Sequence, residues 1–515
     1  MISVGAFALP GVSIAYDLFI PILYRAVHRG FVSQVQAHFV HQGLRWGFDL
    51  GFSPDKLPGR RFFKNYPSAL DAEQAVSKNI FGRLENKKSY PLFPFDPATF
   101  RGDLSSFLSS WCVFPLGAVP KPNEPGAYRP ISDHSRTGFN DASTDDHLRY
   151  SLRSASEIAR YLGDAFHMAV HDVDAAFPLL PLSPVLWPYF LFVWRPPPGE
   201  PACGEGGGWW LHWNVCGDFG AKGLPGTFKI FFSDVLVGMA RSEGALSTPM
   251  PIHVDDMAII GRLREFVDAQ ASSLAKFLAD MGAGVKESKH RVASQVQFVI
   301  GFWWDSVRRT RCLEESKVSA YVAMFLELAE RRSLSLTELR QAAGRLQRAV
   351  LTLPPGAACL LANLFSLMRG LTCPQARRRL SGDGRRDLRD ASGLLSQNMG
   401  RGFFSHEHFG RAPRVATDAS RSPRYTGGGY LSMCGRFSWW RYGSSASRHP
   451  IDTLEGDTVL KAARDLGRFW RGKVVPFSID NQAFQRSAVK GWSRAHRICV
   501  GALPLFRGYL FWVHF

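Results

Sequence analysis

The segments HMAVHDVDAAFPLLPL (167–182) and PIHVDDMAIIG (251–261) decide the fold of this 515-residue chain. In the first segment, an apolar run with the composition of a strand ends at Asp172. In the second, two apolar runs flank Asp255 and Asp256, which predicts a hairpin with both carboxylates at its tip. Adjacent carboxylates repel each other unless a cation lies between them, and Mg²⁺ prefers hard carboxylate oxygens. A solvated acidic turn has the same local pattern, so the neighbouring segments must decide between the two.

The charge of the chain is strongly unbalanced. Lysine and arginine total 62 against 44 acidic residues, which gives a formal charge of +18 and a pI of about 9.7. This excess favours an anionic partner, of which nucleic acid is the commonest, and the ordinary basicity of a soluble protein is the alternative. The length and the 45% apolar content exclude small-scaffold and disordered classes and predict roughly three domains.

Cysteine spacing and the N-terminus indicate the compartment. The eight cysteines form no CxxC pair, which argues against a zinc knuckle or a disulfide framework and predicts reduced thiols. The apolar N-terminus lacks a basic n-region and is interrupted by Pro10, Asp17 and Pro21. Neither a signal peptide nor a membrane-spanning helix is therefore predicted. We expect an intracellular protein without membrane contact, and the choice between nucleus and cytoplasm stays open.

Apolar periodicity and turn residues divide the chain into helices and strands. The pattern predicts helices over 152–163, 222–240, 264–282 and much of 315–370, and strands over 167–174, 209–213 and 296–304. The segment ARRRLSGDGRRDLRD (376–390) carries six arginines against three aspartates, which is typical of a solvated face or linker. A strand-rich pattern resumes after Pro413, so a domain boundary is expected near 400–412.

Three segments, HDVDAAFPLLPL, FGAKGLPGTF and IHVDDMAIIG, follow one another in an order that resembles the reverse transcriptases of retroviruses and retroelements. Within that class the chain looks most similar to long-terminal-repeat-like and tyrosine-recombinase (DIRS-type) elements, over about residues 111–515. The resemblance implies an α+β fold, a right-hand polymerase of fingers, palm and thumb followed by a truncated ribonuclease H-like α/β domain. The implied divisions are an N-terminal region of unknown role (1–110), fingers and palm (111–310), a helical thumb and connection (311–405), and the ribonuclease H-like domain (412–515).

The resemblance assigns metal ligands to the polymerase. Asp172 matches motif A and Asp255 matches motif C, with Asp256 as the less essential partner, and these acids would hold two Mg²⁺ ions. His253 departs from the family, which usually has an aromatic residue at that position. Phe177 would be the steric gate that excludes a ribose 2′-OH, and an ordinary core phenylalanine is the alternative.

Other matches concern the nucleotide. Lys121 and Arg129, in PKPNEPGAYRPISDHS, would hold the incoming triphosphate. The compact charge of a lysine ammonium and the planar, bidentate guanidinium of an arginine are both suited to binding phosphates. Phe219, Gly220 and Lys222 belong to motif B, whose small residues let the backbone approach the template and the nascent base pair.

The segment after motif C resembles the remaining polymerase motifs. Lys286 or Lys289 would be the lysine near the leaving pyrophosphate, and the sequence does not choose between them. The run FVIGFWWD matches the primer-grip strand, and LSLTELRQAAGRLQRAV (334–350) matches the helix on the thumb side.

A second acidic set follows the boundary. Asp418 in VATDAS and Asp480 in PFSIDNQAF are expected at strand ends, and Glu455 at the start of an amphipathic helix. This order resembles a retroelement ribonuclease H, in which clustered acids and two metal ions cut the RNA of a hybrid. Three unrelated surface acids are the alternative. The family uses a fourth acid, but no Asp or Glu follows Asp480. We therefore expect a truncated domain that has the fold but whose nuclease activity is impaired. The cluster HEH (406–408) predicts a solvated loop rather than a metal site.

Together these matches predict an RNA-directed DNA polymerase. The primer 3′-OH would attack the α-phosphate of a deoxynucleotide, and the partners would be an RNA or DNA template–primer, an RNA/DNA hybrid and deoxynucleoside triphosphates. An RNA-dependent RNA polymerase is disfavoured, because Phe177 stands where a second acid would read the 2′-OH. A decayed or domesticated element that binds nucleic acid without catalysis stays an alternative, which His253 favours.

Overall fold

A computed structural model describes residues 9–57, 59–95, 104, 108, 110–121, 126–143, 154–199, 208–353, 357–403, 414–422, 424–469, 475, 477–482 and 484. The chain divides into two units. The first consists of Met1–Ser154, Ala169–Ile259 and Glu265–Val292, and the second of Ala155–Met168, Ile260–Arg264 and Ala293–Phe515. No helix in the described part of the chain is long and apolar enough to cross a bilayer.

The described helices and strands alternate along the whole chain. The α-helices are α1 (Tyr16–His28), α2 (Gln34–Trp46), α3 (Pro67–Asp71), α4 (Glu73–Glu85), α5 (Ser154–Tyr161), α6 (Leu224–Phe228), α7 (Val237–Ser242), α8 (Arg264–Asp280), α9 (Glu315–Glu330), α10 (Leu336–Ala349), α11 (Leu361–Met368), α12 (Gly382–Ser396) and α13 (Ile451–Leu466). The strands are β1 (Arg61–Phe62), β2 (Ser89–Pro94), β3 (Cys112–Val113), β4 (Leu116–Pro120), β5 (Tyr128–Ser132), β6 (His167–Asp172), β7 (Leu191–Trp194), β8 (Trp210–Asn214), β9 (Ile252–His253), β10 (Asp256–Gly261), β11 (Arg291–Ser294), β12 (Val296–Val299), β13 (Phe302–Asp305), β14 (Thr310–Leu313), β15 (Ser333–Ser335), β16 (Arg377–Arg379), β17 (Arg401–Gly402), β18 (Val415–Arg421), β19 (Thr426–Ser432), β20 (Phe437–Arg441) and β21 (Phe477–Ser478).

The first unit contains a five-stranded sheet in the order β1-β3-β7-β8-β2. β7 and β8 are antiparallel, with Leu191 paired with Trp213, and β8 confirms the strand predicted over 209–213. Its outer strands, β1 and β2, come from the N-terminal region to which the sequence assigns no chemistry. Apolar side chains such as Trp111, Val113 and Leu211 are buried against this sheet, so the N-terminal region completes a core.

Helices α1 and α2 also belong to the first unit. Phe19 of α1 stacks on Phe231 with ring centroids 6.2 Å apart, which joins the helix to the segment after α6. Arg25 and Arg29 form ion pairs with Glu243 at 2.9 and 3.3 Å, just beyond α7. The N-terminal helices are thus fixed by both apolar and charged contacts.

A second sheet, most of whose residues belong to the first unit, has the order β11-β6-β10-β9. The prediction of two short strands around the acidic turn is confirmed by β9 and β10, and the strand predicted over 167–174 by β6. α8 confirms the amphipathic helix, because its buried residues recur every three or four positions: Val267, Ala271, Leu274 and Leu278. The ring of His171 on β6 hydrogen-bonds to the Ala271 carbonyl oxygen at 3.1 Å, which ties the sheet to α8.

The helix predicted over 222–240 is present but not uniform. α6 and α7 flank a π-helical segment, Lys229–Leu236, which changes the hydrogen-bond register in the middle of the run. Phe228 and Phe232 stack there with centroids 5.2 Å apart. π-helical turns of this kind are rare and occur frequently at functional sites.

The second unit corrects two expectations. The strand predicted over 296–304 is two strands, β12 and β13, because Ile300 and Gly301 form a turn with φ of 53° and 71°. The segment 376–390 is not a linker. Its arginines Arg377–Arg379 form β16, paired with β15, and Ser381 caps α12 by accepting a hydrogen bond from the Gly384 N–H at 3.0 Å.

The end of the described chain forms a four-stranded sheet, β20-β19-β18-β21, against which α13 packs. β18 and β19 are antiparallel, whereas β18 and β21 are parallel. The strand-rich pattern expected after Pro413 is therefore confirmed. The C-terminal run LPLFRGYLFWVHF and the HEH cluster lie outside the described residues.

Candidate active site

Asp172, Asp255 and Asp256 lie at adjoining strand ends of the sheet that contains β6 and β10. Asp172 is the last residue of β6, and Asp256 is the first of β10. The backbone N–H of Val173 donates to the Asp255 carbonyl oxygen at 3.1 Å, which joins the end of β6 to the hairpin turn. Residues that are 83 positions apart in the sequence are thereby brought together.

The hairpin turn that carries Asp255 has an unusual backbone. Asp256 pairs with His253, so Val254 and Asp255 form a two-residue turn. Val254 has a φ of 59°, a left-handed conformation that is rare for a β-branched residue. A conformation of this kind costs about 1–3 kcal/mol and is concentrated at functional sites.

Negative charge is crowded among these acids. Burial raises the pKa of Asp256 to about 7, and the charges of Asp255 and Asp172 and a hydrogen bond to Asp172 act in the same direction. Burial and the charge of Asp172 also raise the pKa of Asp255, whereas Lys289 and Arg129 oppose this rise. The site therefore favours a proton or a cation among its oxygens.

The structure gives the two candidate lysines different contacts. The Lys289 ammonium forms an ion pair with a carboxylate oxygen of Asp172. Burial opposes the charge on Lys289, but that hydrogen bond and the surrounding carboxylates raise its pKa overall. Lys286 contributes its backbone N–H, which donates to the Asp172 carbonyl oxygen at 2.8 Å. The side chain that contacts the acids is thus that of Lys289.

The donor set fits Mg²⁺. Asp172, Asp255 and Asp256 offer hard carboxylate oxygens whose mutual repulsion a divalent cation would relieve. Burial first, and that repulsion second, raise the pKa values of Asp255 and Asp256.

The motif B turn is held by side chains from two other segments. Gly220 has a φ of 108°, and a Cβ there would lie 2.2 Å from the Ser132 carbonyl oxygen, so only glycine fits. The side chain of Asn140 donates to the Gly220 carbonyl oxygen at 2.9 Å and accepts from the Lys222 N–H at 2.9 Å. The sequence did not reveal this role of Asn140.

Two aromatic residues lie beside this turn. Phe177 is buried, at 6% exposure, and packs edge-on against Phe219 with centroids 4.8 Å apart. Phe219 is half exposed. Of the two rings, the one presented to solvent is therefore that of motif B.

The residues predicted to hold the triphosphate lie on the β4–β5 hairpin. Arg129 is an exposed residue of β5 and pairs with Val119 of β4. Lys121 follows β4, and its backbone N–H donates to the Ala127 carbonyl oxygen at 2.8 Å. Arg129 acts electrostatically on Asp255, which links the hairpin to the acidic site.

The second acidic set meets in the second unit. Carboxylate oxygens of Asp418, Glu455 and Asp480 lie within 4.8 Å of one another, an arrangement that could hold a metal ion. Burial raises the pKa of Glu455 to about 7, and the charges of Asp418 and Asp480 add to the rise. One Glu455 oxygen accepts from the Ala419 N–H at 3.1 Å, and the other is buried and has no hydrogen-bond partner in the part of the chain that the structure describes. Asp418 lies in the middle of β18, so its expected place at a strand end is wrong.

Comparisons with solved structures identify the fold. A foamy viral protease-reverse transcriptase dRH in complex with double-stranded DNA matches with a TM-score of 0.51 at 15% identity, covering 89% of this chain and 71% of that one. A foamy viral protease-reverse transcriptase in complex with double-stranded DNA matches with a TM-score of 0.50 at 15% identity, covering 83% and 78%. The same kind of protein in complex with an RNA/DNA hybrid matches with a TM-score of 0.51 at 13% identity, covering 96% and 62%. The chain therefore has a reverse transcriptase-like fold of mixed helices and strands, as predicted. No protein-family model and no curated protein sequence matches it.

Proposed function

We propose that the chain is the reverse transcriptase of a retrotransposon of the long-terminal-repeat or DIRS type. It would be an RNA-directed DNA polymerase with fingers, palm and thumb, joined to a ribonuclease H-like domain. The observation that carries the proposal is the acidic site in which buried Asp172 lies beside half-buried Asp255 and Asp256 and forms an ion pair with Lys289.

The residues of the site suggest a division of labour. Asp172, Asp255 and Asp256 would hold two Mg²⁺ ions, which when bound activate the primer 3′-OH and neutralise charge on the phosphates. Lys289 is placed to balance negative charge beside Asp172. The Gly220 turn would lie close to the nascent base pair, and Lys121 and Arg129 would hold the triphosphate.

Nucleic acid is the proposed partner. The foamy viral proteins of similar fold are in complex with double-stranded DNA and with an RNA/DNA hybrid. The net charge of +18 supports a phosphate-binding surface, so the affinity for a template–primer should fall steeply with salt.

A primer-extension assay on an RNA template with Mg²⁺ tests the polymerase. We expect deoxynucleotide incorporation that disappears in Asp255→Asn. Asp174→Asn is the matched control, because Asp174 is exposed and only two residues from Asp172. If the wild type binds hybrid but extends no primer, the polymerase proposal fails and a nucleic-acid-binding role without catalysis replaces it.

A separate assay tests the ribonuclease H-like domain. Asp418, Glu455 and Asp480 would hold metal ions at the RNA strand of a hybrid. We expect Mg²⁺ to raise the melting temperature of the wild type more than that of Glu455→Gln, and Asp452→Asn on the same helix to behave as the wild type. Equal Mg²⁺ effects in all three proteins would exclude this site, whether or not the RNA is cut.

A further inference from the structure

A buried ion pair joins α4 to the motif B turn. Arg83 on α4 and Asp218, the residue before Phe219, approach to 2.7 Å with side-chain exposures of 13% and 8%. Arg83 also donates to the carbonyl oxygen of Gly217 at 3.4 Å. The guanidinium thus contacts two consecutive residues at the beginning of the turn.

Asp218 has further partners that hold it as a carboxylate. Its second oxygen accepts from the Ser132 hydroxyl and from the Asn214 amide, the latter at 3.0 Å. Asn214 is in turn held by the Ser89 hydroxyl. Burial acts to raise the pKa of Asp218, but Arg83 and the hydrogen bonds overcome it and keep that pKa below its usual value.

Such a pair is an expensive way to stabilise a fold. The desolvation of two charges offsets much of their attraction, and apolar replacements of both partners are often neutral or stabilising. A buried pair can instead specify one local geometry, because its hydrogen bonds are directional.

This pair specifies the geometry of the turn Gly217–Gly220, because Arg83 contacts its first two residues. Ser132 donates its hydroxyl to Asp218, while its carbonyl oxygen lies against the Cα of Gly220. A shift of Asp218 would therefore be passed to both ends of the turn. Phe219, between them, is half exposed and packs edge-on against Phe177.

We propose that Arg83, acting through Asp218, is a positioning residue that fixes the turn Gly217–Gly220 for the incoming deoxynucleoside triphosphate. The inference rests on the proposed polymerase function. It gives part of the N-terminal region a role in substrate binding, although that region lies outside the motifs of the resemblance.

Steady-state primer extension with a double variant, Arg83→Met with Asp218→Leu, tests this role. Apolar replacement of both partners should leave the melting temperature near that of the wild type. We expect the KM for the deoxynucleotide to rise at least tenfold, because small misplacements at a binding site are costly, while the affinity for template–primer stays unchanged. The matched control is Arg25→Met with Glu243→Leu, which removes an exposed ion pair from the same region, and its KM should equal that of the wild type.

Two further results separate positioning from simple support. Arg83→Lys keeps the positive charge but loses the planar guanidinium that donates to two acceptors. Its KM for the deoxynucleotide should therefore lie between those of the wild type and the double variant. An unchanged KM in a folded double variant would overturn the proposal, and so would a loss of activity that only follows a lower melting temperature. A wild type that incorporates no nucleotide would instead overturn the polymerase function, and this inference with it.

Discussion

Replacing His134 with phenylalanine should make the protein less sensitive to acid. His134 has no solvent exposure, and neither ring nitrogen has a hydrogen-bond partner among the described residues. Its ring lies between Phe114 and Phe190, with centroid distances of 4.4 and 4.6 Å. Burial lowers the pKa of His134 to about 4 from an ordinary value of 6.5. The folded state therefore holds this imidazole neutral.

The sign and the size of the effect follow from that difference. The unfolded chain binds a proton as the pH falls through 6.5, whereas the folded chain resists it until about pH 4, so acid favours unfolding. Between pH 7.5 and 5.0 this one group should lower the free energy of unfolding by about 2 kcal/mol. A phenylalanine at position 134 cannot take up a proton and should remove that loss.

Urea unfolding at the two pH values measures the difference. We expect the wild type to lose about 2 kcal/mol more than His134→Phe on acidification. His28→Phe is the control, because His28 is exposed, and it should lose as much as the wild type. Equal losses in His134→Phe and the wild type would refute the reasoning.

Two further predictions concern the turn at Gly220 and the arginines of β16. Gly220→Ala would place a Cβ 2.2 Å from the Ser132 carbonyl oxygen, so it should lower the melting temperature and raise the nucleotide KM. Gly244→Ala, at a φ of 76° but with open space, should cost only about 1 kcal/mol, and equal effects would contradict the clash. Replacing Arg377, Arg378 and Arg379 with glutamine should make the binding of an RNA/DNA hybrid less dependent on salt. The slope of the logarithm of the binding constant against the logarithm of the salt concentration should fall in magnitude by about 0.9 for each lost phosphate contact. An unchanged slope in fluorescence anisotropy titrations would show that this strand does not contact the backbone.

Local patterns predicted much of the site. The runs around Asp255 and Asp256 predicted the hairpin, because apolar segments on both sides of an acidic pair leave few other local structures. The two acidic sets were likewise recognised from their order. The hairpin and the acidic sets could be predicted because each depends on short stretches of sequence, in which adjacent residues set the local geometry.

Long-range contacts could not be predicted in this way. Arg83 and Asp218 are 135 residues apart, and in the sequence each looks like an ordinary surface charge. The turn at Ile300 was missed because the apolar run continues through it, and α12 because its arginines hid the Ser381 cap. Burial decides the case of Arg83 and Asp218, and burial is a property of the assembled fold.

The five-stranded sheet limits how the chain can be shortened. β1 and β2 are its outer strands, and both precede residue 111, where the recognisable motifs begin. A chain started at that residue would expose the backbone N–H and C=O groups of β3 and β8 along both edges. Unprotected edges pair readily with other molecules, so such a polypeptide should aggregate during expression even though every motif of the resemblance is present.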